Sequence, residues 1–166
     1  MVNPGGNPGR GDASTQFQIR MLSQIGDSAS VPSVGAGAPG LTVGLSAAAF
    51  EILEMVSRAS SIYRFIGSGG SIGPNLPTWI PSQSGTITGE WNRFQTPSPL
   101  QVTEFEGLLE IDTLSSFPAR DTNLTSFFLH PRAIWGHIYI WNFKTGPGLS
   151  LSAGIRVMKG ILTRMW

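Results

Sequence analysis

Apolar and polar residues alternate with a period of two through the last third of the chain. Residues 134–143 read IWGHIYIWNF and residues 149–157 read LSLSAGIRV, separated by a Gly-Pro-Gly turn signal. Successive side chains of a strand point to opposite faces. The second run therefore predicts Leu149, Leu151, Ala153, Ile155 and Val157 on a buried face, with Ser150, Ser152, Gly154 and Arg156 on a wetter one. The first run groups Trp135, His137, Tyr139 and Trp141 on one side. Shorter β-like runs precede these, at residues 62–66, 79–80, 85–94, 100–114 (bent near Gly107) and 126–129. Residues 46–62 predict one helix. Ser46 is placed to cap it, Ala47 to Ala49 favour it, and Phe50, Leu53 and Ser57 form a stripe. Residues 14–25 fit either a strand (Phe17, Ile19, Met21) or a helical face (Phe17, Met21, Ile25). Residues 26–44 are small and turn-prone and read as a loop, with a short edge strand at 41–43. Residues 1–13, rich in Gly, Pro and Asn, read as an extended arm. The pattern describes an all-β antiparallel sandwich or barrel with one helix.

Composition sharpens this picture. Only 13% of the 166 residues are charged, about half the usual share, so much of the surface is expected to lie against partners. The 21 glycines and 12 prolines favour many corners over long helices. A net charge of +1 with scattered Lys and Arg argues against a dedicated nucleic-acid binder. The chain lacks cysteine, which excludes disulfides, thiolate catalysis and Cys-ligated metal. It contains no apolar run long enough to span a membrane as a helix, and residues 1–12 lack the pattern of a signal peptide.

Candidate chemistry is sparse. Arg10-Gly11-Asp12 matches a receptor-binding tripeptide on the expected arm, and Asn123-Leu124-Thr125 is a glycosylation sequon expected to stay unmodified. His130 and His137, seven apart, would face opposite sides of one continuous strand, so no metal site is expected. Glu104, Glu106, Glu110 and Asp112 would share the wet face of one strand, and a hydrolase using Glu104, Glu106 or Glu110 is the least favoured reading. The glycine runs at 35–40 and 67–70 lack the lysine of a phosphate loop. No catalytic or cofactor-binding residue is assigned. Trp135, Tyr139, Trp141 and Phe143 suit a stacking platform, a sheet-on-sheet core or a subunit contact; core or contact is favoured. The apolar ending GILTRMW is expected either to pack Met165 and Trp166 against a neighbour or to come from a longer chain.

The order of segments resembles the jelly-roll coat proteins of picorna-like positive-strand RNA viruses. The run FEILEMVSRASS followed by IYRFIGSGG (62–70) is similar to their helix and F-R-F-x-R-G-S strand entry. GLLEIDTLSSFPAR (107–120) is similar to their v-e-I-P-y-y-S-x-x-R strand and loop. LSLSAGIRVMKGI (149–161) stands where the family shows S-A-G-D-D-F-x-x-x-x-F-x-G, and GDASTQFQIRMLSQI (11–25) resembles G-E-x-x-x-S-x-R-x-L-L-x-R. The resemblance implies a two-sheet jelly-roll sandwich over residues 26–166, preceded by an arm over residues 1–25 that makes inter-subunit contacts. It implies a structural capsid protein, not an enzyme, that builds an icosahedral shell by lateral packing. Its partners would be copies of the same and related coat chains, with genomic RNA on the inner face and a host receptor outside. Its place would be the virion, assembled in the host cytoplasm. The alternative is a non-viral β-sandwich module binding a carbohydrate or a receptor.

Overall fold

The computed structural model describes residues 13–31, 40–73, 89–115, 123–144 and 155–165. Among these residues eight strands follow one another: β1 (Ser14–Val31), β2 (Gly40–Glu54), β3 (Ser60–Gly73), β4 (Asn92–Leu100), β5 (Gly107–Ser115), β6 (Asn123–Pro131), β7 (Ile138–Ile140) and β8 (Ile155–Arg164). They form one antiparallel sheet in the order β4-β1-β2-β3-β8-β5-β6-β7. The fold is all-β, as the alternation predicts, but the strands join in one continuous sheet rather than the expected two.

The sheet curls until its edges almost meet. Asn92, at the start of β4, spans the seam with its side chain. Its Oδ1 accepts from the Lys144 amide at 2.8 Å, and its Nδ2 donates to the Lys144 carbonyl at 2.9 Å, just beyond β7. One amide side chain thus mimics the paired donor and acceptor of a strand neighbour. Both edges are poor templates for further pairing, because β7 has three residues and β4 carries Pro97 and Pro99.

Alternate residues fill the inside. Phe17, Ile19 and Met21 of β1, Phe50 and Ile52 of β2, and Tyr63 and Phe65 of β3 are fully buried. Leu109 and Ile111 of β5, Phe127 and Leu129 of β6, Ile138 and Ile140 of β7, and Met158 and Leu162 of β8 complete the core. Eight strands enclose a space just wide enough for such side chains. Phe127 stacks on Phe143 at 4.0 Å and meets Phe50 edge-on. At another point of the core, Phe105 meets Phe17, Phe94 and Tyr63 edge-on. Phe105 and Val102 come from the connection between β4 and β5, and Tyr63 anchors it: its hydroxyl donates to the Val102 carbonyl at 2.7 Å and accepts from the Phe105 amide at 3.1 Å. Burial pushes the Tyr63 phenol up to about 12, against the opposing pull of that amide.

Three local expectations are corrected. The predicted helix at 46–62 is the end of β2, a turn at 55–57 and the start of β3. Residues 14–25, placed in the arm and read as either strand or helix, are strand and belong to β1; 26–31, expected as loop, continue that strand, and the short edge strand expected at 41–43 is part of the longer β2. In β8 the faces are exchanged: Met158 and Leu162 point inward while Val157 is exposed. The runs at 79–80, 85–88 and 149–154, and the arm at 1–12, lie outside the described residues.

Candidate functional site

Register on the outer surface creates a patch that no single segment announces. Ile66 of β3 pairs with Ile161 of β8, which pairs in turn with Leu108 of β5. All three point outward, with exposures of 52%, 48% and 61%. Directly opposed strand residues have Cβ atoms about 5 Å apart, so these form an unbroken apolar row. The row continues through His130 of β6, the partner of Leu108. In the next row, Glu110 stands between Lys159 and Phe128, and Phe128 pairs with Tyr139 of β7.

Aromatic rings line the β6–β7 end of this face. Phe128 lies 4.3 Å from Tyr139 between centroids, and Tyr139 lies 4.2 Å from Trp141, edge-on. The Tyr139 hydroxyl donates to Ser126 Oγ at 3.1 Å. Trp141 is 69% exposed, and Trp135, in the turn between β6 and β7, is 97% exposed. Tyr139 is half-buried. Of the four aromatics expected in a core or contact, Phe143 is buried in the core, while Trp135, Tyr139 and Trp141 lie outside it. Met165 is exposed beyond β8, with its amide donating to the Ile62 carbonyl at 2.8 Å. Trp166, and Arg10, Gly11 and Asp12, lie outside the described residues.

The acidic cluster separates. Glu104 closes a turn by accepting from the Gln101 amide at 2.8 Å, and Glu106 accepts from the Arg164 amide at 2.9 Å. Neither stands in β5. Glu110 and Asp112 do share its outer face. Burial raises the Asp112 carboxyl, and the adjacent Glu110 adds to the rise through its charge and a hydrogen bond, against the pull of Lys159. Asp112 Oδ1 is buried and finds no hydrogen-bond partner among the described residues. On the opposite side of the barrel, Arg20 bonds Glu51 through Nε at 2.8 Å and lies 4.3 Å over the Trp91 ring. That grouping is a self-satisfied surface cluster.

The histidines, expected on opposite faces, are neighbours. His130 lies in β6 and His137 immediately precedes β7 after the chain has reversed, and their ring centroids are 5.7 Å apart. Pattern reading also missed the apolar row. Its one available signal was Leu108, which shares the even-numbered wet face with Glu110 and Asp112. Among the described residues no helix is long and apolar enough to cross a membrane. No protein-family model, curated protein or solved structure matches this chain.

Proposed function

We infer that the chain is a structural subunit that works by lateral association with copies of itself and related chains, in the specific form of a coat protein of a picorna-like virus shell. The observation that carries this reading is the outward apolar row Ile66–Ile161–Leu108, continuous with the exposed rings of the β6–β7 end. Contiguous apolar surface of this kind marks protein contacts, and aromatic residues are enriched in interface cores. The filled aromatic interior and the 13% charge share fit a subunit that meets its partners over its outside. Flattened into two layers, as in a jelly roll, or rounded, eight antiparallel strands present such broad lateral faces. Genomic RNA on the inner face, a receptor at Arg10-Gly11-Asp12 and residence in the virion belong to the same proposal, which assigns no catalytic residue.

Electron microscopy of the purified full-length chain tests it. Closed particles of uniform diameter are expected, and small free subunits at every protein concentration would contradict it.

One observation favours the second reading, a carbohydrate-binding module: the exposed Trp141 and half-buried Tyr139 lie on the same outer face as Glu110 and Asp112, rings beside hydroxyl-binding carboxylates. That reading expects a monomer that binds a glycan and loses the binding in Trp141→Ala.

A further inference from the structure

The pairing of β6 with β7 runs Phe127 to Ile140, Phe128 to Tyr139 and Leu129 to Ile138. One step further along the same antiparallel register, His130 meets His137. Both side chains are exposed, so an ion can reach them from solvent. Their ring centroids lie 5.7 Å apart with the planes 41° from parallel. An ion bonded at about 2.1 Å to one nitrogen of each ring, at a near-tetrahedral angle, places the two centroids about 5.2 Å apart. The observed spacing is a small side-chain rotation from that value. The His137 ring also lies 6.4 Å from Phe128, which limits where it can turn.

We propose that His130 and His137 form a two-histidine site for a divalent transition-metal ion, of the class Zn²⁺, Ni²⁺ and Cu²⁺. Neutral imidazole suits these ions, whereas Mg²⁺ and Ca²⁺ take oxygen ligands. Among the described residues no group of three or more His, Asp or Glu side chains gathers to hold a metal. Water therefore completes the coordination, and the site binds reversibly. This proposal is independent of the assembly reading, since it needs only the β6–β7 pair of a single chain.

The test uses the full-length chain with any affinity tag removed. Titration calorimetry with NiCl₂ is expected to show binding that weakens at least about tenfold in either His130→Ala or His137→Ala. NMR of the wild-type chain with diamagnetic ZnCl₂ is expected to shift the ring signals of His130 and His137 together. MgCl₂ is expected to shift neither. Both side chains are exposed, so the variants are expected to melt like wild type without metal. Shifts confined to other residues, wild-type Ni²⁺ affinity in either variant, or no binding by the wild-type chain would overturn the proposal. The wild-type NMR arm decides the matter even if a variant fails to fold.

Discussion

Glu54 closes the β2–β3 turn by accepting hydrogen bonds from the Val56 amide at 3.0 Å and from the Ser57 amide and hydroxyl. Burial disfavours its charge, but these donors outweigh burial and hold the carboxyl down at about 2. The ionised form is therefore preferred in the fold. Its contribution is complete above the unfolded value of 4.5 and is lost as the pH falls through about 2. Glu54→Gln is expected to lower stability at pH 7 by about 1–2 kcal/mol, and the difference from wild type should shrink toward pH 2; urea unfolding at the two pH values checks this. Tyr63 acts at the same scale. Tyr63→Phe leaves the Val102 carbonyl and the Phe105 amide without their partner and should cost about 1–3 kcal/mol in urea unfolding. A wild-type midpoint would show that the hydroxyl does not anchor the β4–β5 connection.

At the scale of elements, two close approaches shape the barrel. A Cβ at Gly160 of β8 would lie 2.1 Å from the Ile66 carbonyl oxygen and 2.4 Å from the Gly67 Cα. Gly160→Ala must push β3 and β8 apart, at an expected cost of about 1–3 kcal/mol, measured by thermal or urea unfolding. Asn92→Ala removes both seam bonds to Lys144, so amide exchange at Lys144 should speed up while β2 and β3 stay protected. The strand character of 107–114, 126–129 and 138–140 was legible from alternation, because each has one face in the core. The stretch 46–62 was misread because Ala47, Ala48, Ala49, Glu51 and Glu54 favour a helix locally. Its competing period-two pattern, Ala48, Phe50 and Ile52, is the one buried, and in-register pairing with β1 and β3 on both sides overrides local preference. The patch was not legible, because Ile66, Leu108 and Ile161 are far apart in sequence and only register brings them together. The histidine pair was hidden for the same reason: the turn between β6 and β7 reverses the chain between His130 and His137.

At the scale of the whole molecule, burial and exposure divide the chain's apolar residues into two sets with different work. Phe17, Phe50, Tyr63, Phe65, Phe105 and Phe127 are committed to the interior. Ile66, Leu108, Ile161 and Trp141 remain outside on one connected face, in a chain with few charges to keep copies apart. Because the second set does not support the core, replacing it should separate assembly from folding. Sedimentation velocity, comparing wild type with the combined variant Ile66→Ser, Leu108→Ser and Ile161→Ser, tests this most directly. The account predicts a large, uniform assembly for wild type and a folded single subunit for the variant, with matching β-sheet circular dichroism. A wild-type chain that sediments as a lone subunit at every concentration, or a variant that assembles as well as wild type, would contradict it.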